Sequence, residues 1–158
     1  MVTSNVGGGS GMQVERFVPA EPAEVWRVLA DGWSYPLWVV GATHMRAVDD
    51  GFPAVGTRLH HSVGSWPVQL KDRTEVVACE PERLLELKAH AWPSGAARVR
   101  IELRPEPGGT RIVMQEHAES GPAVLIPGLV QQAVLVPRNT ETLARLESIV
   151  RNKVVRQS

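Results

Sequence analysis

The segment AEPAEVWRVLADGWSYPLW, residues Ala20–Trp38, decides how the rest of the chain is read. Its first half predicts a short helix over Glu21–Ala30, with Val25, Trp26 and Leu29 recurring on one face. Glu21 and Glu24 stand in the first turn, where carboxylates meet the positive end of the helix dipole, and Pro22 is tolerated there. Asp31–Gly32 stops this helix. The second half predicts a shorter helical turn within Trp33–Val40, broken at Pro36. Lying between an N-terminal strand and a long run of strands, the segment looks like the lid and gate of a domain folded around a cavity. It speaks to architecture more than to chemistry.

Upstream, Val14–Val18 reads as a strand ended by Pro19. Met1–Gly11 has no periodicity and carries Gly7, Gly8, Gly9 and Gly11, so residues 1–11 are expected to be a disordered tail or a tag. Gly7–Gly9 lacks the following strand, helix and lysine of a phosphate loop. Downstream, Thr43–Val48 is a candidate strand, and Asp49–Gly51 with Pro53 a turn. Then come Thr57–Val63, Val68–Cys79, Leu84–Ala91, Ala97–Leu103 and Arg111–His117, antiparallel strands separated by turn residues. Val99, Ile101 and Leu103 alternate with Arg98, Arg100, Glu102 and Arg104, which marks one dry and one wet face. The period then changes. Leu143, Leu146 and Ile149/Val150 recur at helical spacing, while Pro127 and Pro137 interrupt the apolar run upstream and predict a kinked or broken helix. One domain is expected over residues 12–153, with a C-terminal tail over 154–158.

A chain of 158 residues is long enough for a substantial core. Its 17 basic and 17 acidic side chains cancel and are interspersed, which argues against nucleic acid as a partner. No apolar run approaches the roughly 20 residues of a membrane span, so membrane insertion is not expected. Nor does a basic region precede an apolar one, as in a secretion signal, and the expectation is a cytoplasmic protein. The single cysteine, Cys79, cannot form an internal disulfide or a cysteine cage, and without a basic neighbour it reads as inert. Oligomeric state is not legible.

The order is strand, two short helices, about six strands and a long terminal helix. With one helix to cover its dry face, such a meander must curve around it. The pattern resembles the START/Bet v1-like (SRPBCC) superfamily and, within it, the bacterial polyketide cyclase/dehydrase-like proteins. The resemblance rests on Val14–Val18 with Pro19–Ala20, Pro22, Val25–Trp26, Tyr35–Pro36 with Trp38, and Gly56–Thr57. Glu80–Pro81, Gly109–Thr110 and the terminal helix with Arg138–Asn139 complete it, over Met12–Lys153. It implies an α+β helix-grip fold: a curved antiparallel sheet of about seven strands around the C-terminal helix, with a cavity between them.

Strand pairing then proposes which polar groups face that cavity. If Gly64–Pro67 closes a four-residue loop, Val63 faces Val68, His61 faces Leu70, Leu59 faces Asp72 and Thr57 faces Thr74. A hairpin at Glu80–Arg83 sets Ala78 opposite Leu85, Val76 opposite Leu87 and Thr74 opposite Ala89. One face becomes mostly apolar and the other carries Arg58, His60, Lys71, Arg73, Glu75, Glu86 and Lys88. Three ionisable residues fall on the dry face: His61, Asp72 and Glu116. A buried carboxylate needs a partner, water or a raised pKa. Either these residues form a polar spot in an apolar pocket, or His61 and Asp72 pair as core residues while Glu116 sits at a fraying strand end. The expected lining includes Leu59, Leu70, Thr74, Leu87, Ile101 and Met114 from strands, with Leu129 and Ala133 from the helical region. Trp33, Tyr35, Trp38, Trp66 and Trp92 fall around the expected rim, as stacking surfaces or as core plugs. His60 and His61 point to opposite faces, and no metal-ligand spacing appears, so neither a metal nor a cofactor is expected.

Three functions follow as alternatives. The first is a binding protein for a small hydrophobic or aromatic, polyketide- or lipid-like molecule. The second, implied by the resemblance, is a polyketide cyclase or dehydrase with His61 as general base or acid, Asp72 as its orienter and Glu116 as a second acid/base. The third is a protein-interaction module like the related co-chaperone activators; the mixed charge expected on the outer face gives it less support.

Overall fold

The computed structural model describes residues 11–65, 68–91 and 95–156. Strand β1 (Met12–Val18) leads into helix α1 (Pro22–Leu29), a 3-10 turn (Gly32–Ser34) and the single-turn helix α2 (Tyr35–Trp38). Six strands follow: β2 (Ala42–Val48), β3 (Arg58–Ser65), β4 (Val68–Glu80), β5 (Leu84–Ala91), β6 (Gly95–Glu106) and β7 (Gly109–Ser120). A 3-10 turn (Pro122–Leu125) precedes the 28-residue helix α3 (Gly128–Val155). All seven strands form one antiparallel sheet in the order β1-β7-β6-β5-β4-β3-β2.

Local chemistry explains the gate. Glu24 accepts a hydrogen bond from the Glu21 backbone N–H at 2.9 Å, and α1 buries Val25, Val28 and Leu29. Trp26, expected on that face, is only half-buried and packs against the edge of the core. Asp31 accepts from the Trp33 N–H, and the Ser34 hydroxyl reaches the Val28 carbonyl at 2.8 Å. Gly32 is required between them: a Cβ there would lie 2.6 Å from the Leu59 side chain. Pro36 does not break the second turn. It stands in the first turn of α2, where its missing N–H has no helical partner to lose.

The two faces of the sheet are as the alternation predicts, but the β3–β4 register is displaced by two residues. His61 pairs with Asp72, Leu59 with Thr74 and Val63 with Leu70, because the ladder runs to Ser65↔Val68 instead of stopping at Val63. Between β4 and β5, Val76↔Leu87 and Thr74↔Ala89 hold, but a bulge after Val76 sets Cys79, not Ala78, opposite Leu85. The last hairpin is tighter than expected. Glu106 pairs with Gly109, so Pro105 lies within β6 opposite Thr110. Outside, Glu86, Lys88, Arg98, Arg100, Glu102 and Glu119 form a cross-strand ion-pair network.

Helix α3 also departs from expectation, running unbroken through Pro137, with Pro127 as its N-cap. Ala133 and Pro137 are both exposed, so the carbonyl freed by the missing N–H lies on the solvent side. The C-terminal half of the helix buries Asn139, Thr142, Leu143, Leu146 and Val150 beside β1, α1 and α2. Its N-terminal part is different. Val124, Leu125 and Ile126 just before it, and Leu129, Val130 and Val134 in its first turns, are exposed, so much of the apolar run read from the sequence faces solvent. Among the described residues no helix is long and apolar enough to cross a membrane.

Candidate functional site

Between the inner face of the sheet, the gate and α3 lies a cavity of about 230 Å³. The sheet contributes His61, Val63, Asp72, Leu87, Ala89, His90, Val99, Ile101, Met114 and Glu116. The gate contributes Tyr35, Trp38 and Val39–Ala42, and α3 contributes Arg138, Asn139 and Thr142. The Val40 N–H donates to the Thr142 hydroxyl at 3.2 Å, which ties the gate to the helix.

Two polar clusters interrupt the apolar wall. In the first, His61 Nε2 lies 2.9 Å from Thr74 Oγ1, which lies 3.4 Å from the Tyr35 hydroxyl. The Tyr35 ring rests against those of His61 and Trp38, at centroid separations of 5.4 and 5.3 Å. Burial, helped by the Arg46 charge, pushes the His61 pKa down to about 4; the Ser62 backbone offsets this in part without giving Nδ1 a hydrogen-bond partner. His61 is therefore neutral near pH 7. Burial likewise raises the Tyr35 phenol. Asp72 faces His61 across the ladder but does not bond to it. One carboxylate oxygen accepts from the Arg73 N–H at 2.9 Å, and burial raises the pKa. Arg46 donates to the His61 and Asp72 carbonyls, pinning β3 and β4 together.

In the second cluster, Glu116 is 4% exposed and accepts from Arg138 Nη2 and from Asn139 Nδ2, the latter at 2.7 Å. It lies well inside β7, not at a frayed end, and its partners come from α3.

Of the residues singled out from the sequence, His61, Asp72, Glu116, Tyr35, Trp38, Leu87, Ile101 and Met114 meet at this cavity. Thr74 stands behind His61, fully buried. Leu59 is spent in the core beneath Gly32, and Leu70 is half-buried away from the cavity. Trp33 is 59% exposed. Leu129 and Ala133 face solvent, because the first turns of α3 do not pack on the sheet. Trp66 and Trp92 lie outside the described residues. Among the polar lining residues, His90, Arg138, Asn139 and Thr142 were not singled out. Asn139 shares the helical phase of Leu143, Leu146 and Val150, and a polar side chain at a core phase calls for a buried partner, here Glu116. Burial raises the Cys79 thiol. Among the described residues no three His, Cys, Asp or Glu side chains gather as metal ligands.

The comparisons agree with this architecture. A protein from Nitrosomonas europaea superposes with a TM-score of 0.74 at 16% identity, over 92% of this chain and 96% of that one. The protein Ara h 8.0201 gives 0.68 at 16% identity, over 90% and 97%. The di-domain ARO/CYC protein StfQ of the steffimycin biosynthetic pathway gives 0.73 at 13% identity, over 92% of this chain and 51% of its own length. At such identities the likeness is one of fold. No curated protein matches the sequence. The family model described as polyketide cyclase / dehydrase and lipid transport matches residues 11–151, nearly the whole chain. With its helix-grip fold of START/Bet v1-like (SRPBCC) type, the chain belongs to that family.

Proposed function

We propose that the protein holds a small hydrophobic or aromatic molecule, polyketide- or lipid-like, in the cavity between sheet and α3. The molecule enters between Trp33–Val40 and the helix. The observation that carries this reading is a cavity walled largely by Leu87, Ala89, Val99, Ile101, Met114 and the Tyr35 and Trp38 rings, with most of its polar groups gathered into two clusters. Burying about 300 Å² of apolar ligand is worth roughly 7 kcal/mol gross, and ordering and desolvation reduce that to micromolar binding. Titration with N-phenyl-1-naphthylamine, a neutral fluorescent probe, tests it. Ala89→Phe, which fills the cavity from the inner face, should weaken the probe at least tenfold without lowering the melting temperature. Unchanged affinity would place the probe elsewhere and remove the reading.

A second reading, cyclisation or dehydration of a polyketone, is favoured by two proton-active groups on one cavity. Neutral His61 would be the acceptor for a proton from a carbon beside a carbonyl, a weak base at a pKa of about 4, with Thr74 rather than Asp72 holding its ring. Glu116, paired with Arg138, would be the second acid/base group. Asp72 would act on bound substrate through its place on the wall. Turnover of a linear polyketone that His61→Gln abolishes would decide for this reading over binding alone.

A further inference from the structure

Most lysines and arginines of this chain are ion-paired, on the outer face of the sheet and along α3. Arg46, Lys71 and Arg73 are exposed and form no salt bridge among the described residues. They converge. With His60, Asp72 and His90 they line an open hollow of about 260 Å³ on the outer side of the sheet. Register explains the gathering: His60 pairs with Arg73 and Arg73 with His90, so basic side chains stand in a row across β3, β4 and β5. Arg46 is held beside that row by the His61 and Asp72 carbonyls, at 3.3 and 3.1 Å. Asp49 answers His60 at 2.9 Å, and Asp72 is the one carboxylate in the lining.

This hollow backs onto the cavity. The β3–β4 ladder runs out to Ser65↔Val68, but the β4–β5 ladder stops at Arg73↔His90, so β4 from Val68 to Asp72 has no ladder to β5. Alternation turns Asp72 inward and His90 outward, yet each borders both the hollow and the cavity. A residue can border both spaces only where the strands have parted and the wall between is thin.

We propose that the ligand is an amphipathic acid, with its apolar body in the cavity and its carboxylate reaching Arg46, Lys71 and Arg73 through the parting between β4 and β5. The inference rests on the binding reading above and narrows its ligand class. Arg138 is a further cation on the cavity wall, but Glu116 and Asn139 already engage it, and an acid held only inside would face Glu116 and Asp72 as well. In the hollow three cations stand against Asp72 alone, and the balance stays positive.

Decanoate and 1-decanol, equal in chain length, test this by displacing N-phenyl-1-naphthylamine at a pH where the acid is ionised. The unaltered protein should prefer decanoate at least about fivefold, and about 0.5 M sodium chloride should at least halve that preference, because exposed charges are screened. Lys71→Gln with Arg73→Gln should bring it below about twofold and leave decanol unchanged; both side chains are exposed, so the fold is spared. Asp72→Asn, which keeps an acceptor for the Arg73 N–H, should instead raise the preference. Substitutions that only disturbed the sheet would move both ligands together. Equal displacement by the two, or decanol the stronger, would overturn the inference while the binding reading survives. A preference that survives the double variant would also overturn it, and its loss in Arg138→Gln would then put the carboxylate inside the cavity. Decanoate that binds without displacing the probe would overturn it too, by showing a separate outer site. If neither the probe nor either ligand binds, the binding reading falls and this one with it.

Discussion

Replacing His61 with glutamine should flatten the acid limb of the stability curve. The folded His61 takes up a proton only near pH 4, against 6.5 for the free side chain, because it is 4% exposed and desolvation opposes the charge. At pH 5 about 97% of this histidine is protonated in the unfolded chain and about 9% in the folded one. The unfolded state therefore binds more protons throughout this window. Its contribution to stability is complete above pH 6.5 and is lost progressively as the pH falls toward 4. Integration gives about 2 kcal/mol lost between pH 7.5 and pH 5 from this one group. Urea unfolding at the two pH values, for both proteins, isolates it: carboxylates titrate in both and cancel in the difference. The variant should lose about 2 kcal/mol less than the parent on acidification. A difference below about 0.5 kcal/mol would mean that His61 is hydrated or charge-paired, and the buried cluster would have to be redrawn.

Other substitutions probe the frame. Gly109→Ala would set a Cβ 2.2 Å from the Val18 carbonyl oxygen, backbone against backbone, and should cost about 3 kcal/mol in chemical unfolding; an unchanged midpoint would mean that β1 does not dock there. Leu125→Glu with Leu129→Glu should leave the melting temperature within a few degrees, since these side chains are 85% and 82% exposed. A fall of ten degrees or more would show that the stretch packs against something.

The strand faces were legible because charge and apolar character alternate strictly in segments such as Arg98–Arg104. The β3–β4 register was not, for a reason built into sheets. A displacement of two residues returns every side chain to the same face, so burial cannot distinguish His61 opposite Leu70 from His61 opposite Asp72. Only the turn can, and the residues around Gly64–Pro67 suit a loop of either length. The bulge after Val76 leaves a similarly faint trace. Half of the site was legible for the same reason as the strands: His61, Asp72 and Glu116 are ionisable residues at dry positions. Arg138, Asn139 and Thr142 were not read as lining because Pro137 suggested a break where the helix in fact continues. Leu129 and Ala133 read as lining because apolar composition alone does not say which turns of a helix have something to pack on.

Consecutive in the chain, β1 and β2 occupy opposite edges of the sheet, and β1 finds its partner in β7, with Met12 against Glu116 and Val18 against Thr110. During synthesis the first of these strands emerges early, while the strand it needs emerges last. Until Gly109–Ser120 has left the ribosome, both β1 and β6 present unpaired backbone, an invitation to sticking between nascent chains. The meander from β2 to β6 can zip through neighbouring hairpins, but final closure joins segments about a hundred residues apart, and that long-range step sets the pace of folding.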